Sequence, residues 1–201
     1  MMKDMSRLLI TLTLIAAGAG LVLSLVESVT REPIKEQRRL QMLKALSAVL
    51  PEFDNSPDTD IVSLENGADK KGNPVEVIFY RARKDGEIVG TAFNVVAPDG
   101  YSGNIAVMVG LKPDQSVNAI EILAHAETPG LGSKIEDPLF KDIFKGKSLD
   151  NADWRVKKDG GEFDQITGAT ISPRAIVGAV KKGLEFYREN RQKILAEGGQ
   201  Q

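Results

Sequence analysis

The sequence contains no cysteine and a single histidine, His125. Without cysteine there are no disulfides, no cysteine-ligated iron–sulfur cluster and no thiolate-bound metal. One histidine rules out a bis-histidine haem within the chain and leaves a catalytic zinc site without its usual ligands. No metal site is therefore expected. Neither charge is in excess: 26 Lys and Arg face 28 Asp and Glu, for a formal net charge of -2. That balance argues against nucleic acid as a partner, because phosphate contacts demand a basic surface. No Ser/His/Asp or Cys/His arrangement suited to nucleophilic catalysis is evident. Any redox chemistry here calls for an organic cofactor.

What is present begins with a long apolar run. Leu8 to Val26 reads LLITLTLIAAGAGLVLSLV, without charge or proline. About 20 apolar residues at ~1.5 Å rise span the hydrocarbon core of a bilayer. A transmembrane helix over 8–26 is expected, after a short cytoplasmic tail over 1–7. The run is long for a signal-peptide core, and no convincing small-x-small site follows it. Ala16, Ala17, Gly18, Ala19 and Gly20 form a small-residue patch that would let another helix approach closely. Lys3 and Arg7 precede the span, while Arg31, Lys35, Arg38 and Arg39 follow it. That count alone would place the C-terminal side in the cytoplasm.

The remainder suits one domain. Residues 27–39 carry both charges and read as a helical stalk. Leu40, Met42, Leu43, Leu46 and Leu50 recur at helical spacing until Pro51 stops them. Residues 52–72, with Pro57, Gly67 and Gly72, read mostly as loop. Strands are expected over 75–80, 88–96, 105–111 and 117–123, with Asp85-Gly86 as a hairpin turn between the first two. A short fifth strand is expected over 154–156, and a short helix over 137–144. Ile176, Val177, Val180, Leu184 and Tyr187 mark an amphipathic C-terminal helix. The expected class is α+β: a mostly antiparallel sheet with flanking helices, in a domain over 40–201.

Three segments stand out for chemistry. Asp164 to Pro173 reads DQITGATISP and leads into the last helix. Ser172 suits an N-cap and Pro173 the first helical position. Thr170 then sits just before a helix N-terminus, where unpaired N–H groups and the positive dipole end favour a phosphate. From these residues alone the segment is a capped helix start with room for an anion. His125 to Lys134 reads HAETPGLGSK: Pro129-Gly130 forms a tight turn, and Gly132 allows close backbone approach. Glu127 and Thr128 offer hydrogen-bonding groups to a heterocycle or polyol, and Lys134 offers a charge to a phosphate; a bland loop has the same look. Gly100-Tyr101-Ser102-Gly103 is either a simple turn or a turn that sets an aromatic ring beside a ligand.

Taken together, these segments resemble the FMN-binding domain family. Asp164, Thr167, Gly168, Ala169 and Thr170 match its covalent-flavin motif, Asp-x-x-Ser/Thr-Gly-Ala-Thr. Glu127-Thr128-Pro129-Gly130-Leu131-Gly132 and Lys157-Lys158-Asp159-Gly160-Gly161, with Trp154 and Phe163, resemble the G subunits of the Rnf ion-translocating electron transport complex. The C subunit of the sodium-translocating NADH:quinone reductase is a close relative of similar organisation and ranks second. The resemblance implies FMN joined through its phosphate to Thr170 by a separate flavin transferase that uses FAD as donor. It implies a recognition segment for that enzyme at Asp164, Thr167, Gly168, Ala169 and Thr170. It further implies cofactor contacts from Glu127, Thr128, Leu131, Gly132, Lys134, Tyr101, Ser102, Thr167, Gly168 and Ala169. The chain would relay electrons among the other Rnf subunits, between ferredoxin and NAD, with no turnover of its own. By resemblance its soluble domain lies on the outer face of the cytoplasmic membrane, against the simple charge count. An anchored scaffold or noncovalent FMN-binding module is the alternative of another class.

Overall fold

The structure, a computed structural model, describes residues 2–68, 72 and 74–196. Met1, residues 69–71, residue 73 and residues 197–201 therefore fall outside the described parts of the expected tail, loop and domain. Two compact units are present, Met1–Met42 and Leu43–Gln201.

Helix α1 runs Met2–Val49, so the expected span, stalk and following helix are one continuous element. It contains an 18-residue stretch of mean hydropathy 2.4, none of it buried, and is long and apolar enough to cross a membrane. Pro33 lies inside α1 and gives the Val29 carbonyl no N–H to accept. On the stalk, Arg31 pairs with Glu27 at 2.7 Å and Lys35 with Glu32 at 2.9 Å.

Among the described residues of the second unit, five strands form one antiparallel meander, ordered β1-β2-β3-β4-β5. They are β1 Ile61–Ala68, β2 Pro74–Lys84, β3 Glu87–Ala97, β4 Ile105–Leu111 and β5 Val117–Ala124. The β2–β3 turn has φ 52° at Asp85 and φ 86° at Gly86, the paired positive φ of a two-residue hairpin. Strand β1 corrects the loop expected over 52–72. Its register is broken between Glu65 and Ala68, and it sits at the sheet edge, where only Val62 and Leu64 pack inward. So short and one-sided an alternation leaves little trace in sequence.

The strand expected over 154–156 does not form. Residues 155–163 bond to themselves: Lys157 N–H donates to the Phe163 carbonyl and Gly161 N–H to the Val156 carbonyl. An isolated Val156–Phe163 bridge within this loop is all that remains of a strand there. The apolar residues that suggested a strand fill an aromatic cluster instead, with Trp154 and Phe163 ring centroids 4.8 Å apart. Helix α2, Pro138–Lys141, and a 3-10 turn over Asp142–Phe144 occupy the short helix expected over 137–144.

Both sheet faces are covered in part. Helix α3, Ile171–Leu195, lays Ile176, Val177, Val180, Leu184 and Tyr187 on Phe79, Phe93, Val107 and Val109. Burying each large apolar side chain of this kind contributes about 1.5–3 kcal/mol. On the other face, Ala45, Leu46, Val49 and Leu50 pack on Tyr80, Ala82, Ala92 and Met108. Asn118 Nδ2 donates to the Val49 carbonyl at 2.8 Å and so satisfies one of the helix-end acceptors. Gly110 permits that approach. A Cβ there would lie 2.1 Å from the Val49 carbonyl oxygen, and backbone cannot rotate aside. Gly110→Ala should therefore lift the helix end and destabilise the domain by about 2–3 kcal/mol. Circular-dichroism melting should record a drop of roughly 5–10 °C.

Candidate functional site

A cavity in the second unit opens where three loops meet the start of α3. It holds about 500 Å³ and is lined by Tyr101, Glu127, Thr128, Leu131, Gly132, Lys158, Gly168, Ala169, Thr170, Ile171, Ser172 and Arg174. Each wall has a local cause. The turn before β4 presents Tyr101, two-thirds exposed at 68%. The chain leaving β5 presents Glu127 to Gly132. Within it the Thr128 carbonyl accepts from the N–H groups of Leu131 and Ser133, at 3.2 and 3.1 Å. The third wall is the turn into α3. Ala169 N–H donates to the Ile166 carbonyl at 3.0 Å, and Gly168 takes φ 83° at its corner. Only glycine adopts that conformation without strain.

The helix starts differently from the expectation. Thr170 occupies the N-cap position with no side-chain capping bond, and Ile171 opens the helix. Ser172 and Pro173 lie within the first turn, both buried. Ser172 is not the cap because its hydroxyl is already committed: Oγ donates to Glu127 Oε2 at 2.6 Å. Pro173 is tolerated there because first-turn N–H groups lack intrahelical acceptors in any case.

Glu127 is the hinge of the arrangement. It is 4% exposed, and its Oε1 accepts the Ser102 backbone N–H at 3.1 Å. Its own N–H donates to His125 Nδ1 at 3.0 Å, while His125 Nε2 faces Glu136 Oε1 at 3.0 Å. Nδ1 thus acts as acceptor, which puts the ring proton on Nε2. Gly132 lies so close that a Cβ there would sit 2.6 Å from Glu127 Oε2.

Residues 100–185 match the FMN-binding domain family, and residues 1–49 match the RnfG N-terminal region. The chain is 38% identical to the G subunit of the ion-translocating oxidoreductase complex of Aliivibrio fischeri, over 96% of this chain and 95% of that one. It is 40% identical to the corresponding G subunit of Vibrio cholerae, over 88% of this chain and 87% of that one. The chain belongs to the family of G subunits of ion-translocating oxidoreductase complexes. In fold, it is similar to the crystal structure of Shewanella oneidensis NqrC. That likeness has a TM-score of 0.51 and 21% identity, covering 69% of this chain and 70% of that one.

In this member of the family, the cavity brings together Tyr101, Glu127, Thr128, Leu131, Gly132, Gly168, Ala169 and Thr170 from the expected set. Ser102 takes part only through its N–H to Glu127. Thr167 is exposed on the turn and does not line the cavity. Lys134 and Asp164 line a second, smaller cleft with Phe140 and Ile166. Asp164 pairs there with Lys157 at 2.6 Å.

Lys158, Ile171, Ser172 and Arg174 also line the cavity, although sequence reasoning assigned them no ligand role. Lys158 and Arg174 bring its positive charge. Arg174 is clamped to Asp159, Nε at 2.6 Å and Nη2 at 2.7 Å, which ties the 157–160 turn to the first turn of α3. The one sequence signal, a basic pair on the loop preceding the Thr-Gly-Ala-Thr turn, points to Lys158 alone.

The hydrogen bond from Arg174 holds the Asp159 carboxyl below its ordinary range, helped by the charges of Arg174, Lys158 and Arg155 against the opposing effect of desolvation. A folded pKa below the unfolded one means that the unfolded chain binds more protons between the two values. The clamp's stabilisation is therefore present above the ordinary carboxylate range and lost as pH falls through the depressed value. The melting difference between the wild type and Asp159→Asn should be present at neutral pH and close only below about pH 4.

Proposed function

We propose that this chain carries FMN in the 500 Å³ cavity, joined through its phosphate to the Thr170 side chain, and relays electrons within an ion-translocating ferredoxin:NAD oxidoreductase complex. The observation that carries this reading is the position of Thr170. It stands at the N-cap of α3 on the cavity wall, with its hydroxyl in no capping bond and with Lys158 and Arg174 lining the same cavity. A phosphoester there places its anion beside two cations and the positive end of a 25-residue helix. The cavity volume lies inside the ~300–1,000 Å³ range of small-molecule sites.

FMN supplies the electron-accepting ring when bound; the protein holds it and sets its surroundings. Gly168 and Gly132 let backbone approach the ligand. Tyr101 and Leu131, both exposed at the cavity, offer apolar surface to a planar ring. Both Glu127 oxygens already accept hydrogen bonds within the protein, which makes Thr128 the freer polar contact. Asp164 and Thr167, exposed beside the attachment turn, are available to a flavin transferase during maturation. Helix α1 anchors the chain in the cytoplasmic membrane beside the other subunits, with the flavin domain on the outer face. The test is coexpression with an active flavin transferase. A fluorescent band that survives denaturing electrophoresis supports covalent attachment, and its absence leaves a noncovalent or scaffold role.

A further inference from the structure

We infer that Glu127 is a fixed negative charge that lowers the electron affinity of the ligand in this cavity, an inference that rests on the flavin reading above. Glu127 combines three properties. It is 4% exposed, it lines the cavity, and both its oxygens are held by uncharged donors. Neither cavity cation is its hydrogen-bond partner: Arg174 pairs with Asp159, and the Glu127 oxygens are taken by Ser102 and Ser172.

The protein holds this charge in place instead of neutralising it. Oε1 accepts the Ser102 N–H and Oε2 the Ser172 hydroxyl, an acceptor-only pattern that suits an ionised carboxylate. Room is reserved around it as well. A Cβ at Gly132 would meet Oε2 at 2.6 Å, and one at Gly100 would meet Oε1 at 2.9 Å. A buried group held by a turn and by the first turn of α3 keeps its distance to any ligand constant. In a weakly screened site a like charge raises the energy of a ring that gains an electron. Glu127 thereby favours the oxidised ligand and makes the reduced one a stronger donor.

Glu127→Gln isolates the charge. The amide oxygen still accepts the Ser102 N–H. The amide nitrogen faces Ser172, whose hydroxyl turns from donor to acceptor. Full-length holoprotein, made with its transferase, is titrated with dithionite and mediator dyes at fixed potentials. The variant should still take up flavin, read as a fluorescent band. Its reduced-to-oxidised ratio at a given potential should rise about tenfold, equivalent to about 59 mV for one electron. A fluorescent, folded variant with an unchanged or lower ratio overturns the inference and leaves the Thr170 reading standing. A wild type without the covalent band overturns both. If Glu127→Gln fails to fold, Ser172→Ala replaces it. That change strips a donor and leaves the charge, so the ratio should move toward the oxidised form. No movement, or movement toward the reduced form, overturns the inference.

Discussion

Thr170→Val should carry no flavin through denaturing electrophoresis, while the wild type made with the same transferase gives a fluorescent band. Valine keeps the β-branched shape and removes the hydroxyl proposed to bond to phosphorus. In the attachment step the Thr170 oxygen would bond to the FMN phosphorus, the bridging P–O bond of FAD would break, and AMP would leave. The hydroxyl proton is released. Valine offers no oxygen, so the loss should be complete. Folding should be spared, because Thr170 makes no capping hydrogen bond that the change removes. Exposed or half-exposed substitutions of this kind alter stability by about 0.5 kcal/mol or less. Thr170→Ser retains the oxygen and should retain a band. A band of wild-type intensity in Thr170→Val moves the attachment point elsewhere.

Arg81→Leu should produce the largest stability loss of the changes considered. Arg81 is 4% exposed and joins three distant parts of the domain. Its Nε donates to Asp60 Oδ1 at 2.6 Å and its Nη2 pairs with the same carboxylate. Its Nη1 donates to the Ala196 carbonyl at 2.9 Å and to that of Ile194, at the end of α3. Leucine fills part of the space and leaves these carbonyls without a donor. Removing one partner of a buried ion pair costs about 3–5 kcal/mol. The lower end applies here, because Arg83 still pairs with Asp60 at 2.7 Å. Thermal melting should fall by roughly 6–12 °C. The flavin band should persist at low temperature, since the cavity lies at the opposite end of α3. A fall of under about 2 °C would show that water replaces the guanidinium without penalty.

Much of this protein is legible in its sequence, and the reasons are local. Leu8 to Val26 is an uncharged run, and it lies in a helix long and apolar enough to cross a membrane. Asp85-Gly86 imposes the β2–β3 hairpin because both positions need positive φ. The apolar period of α3 reappears in its buried face. Gly168 marks a turn immediately before a helix, and the structure contains that turn. The errors share the opposite cause. Strand β1 forms because β2 offers an open edge of backbone groups, and its own side chains scarcely announce it. Trp154 and Val156 have a strand's composition but a loop's bonding, because Phe144 and Phe163 wait across the chain to cover the indole ring.

The sequence by itself determined the apolar span, the α+β class, the glycine turns and the threonine that the family motif singles out. Each depends on residues near one another along the chain or on a motif of fixed spacing. Only the tertiary structure decided how the cavity is built. The Ser172 hydroxyl meets Glu127 across 45 positions of sequence and so leaves the capping role. Arg174 meets Asp159 from another loop, and Lys134 turns to a separate cleft. Which polar group spends its hydrogen bonds inside the protein, and which is left for a ligand, depends on partners that folding alone brings within about 3 Å.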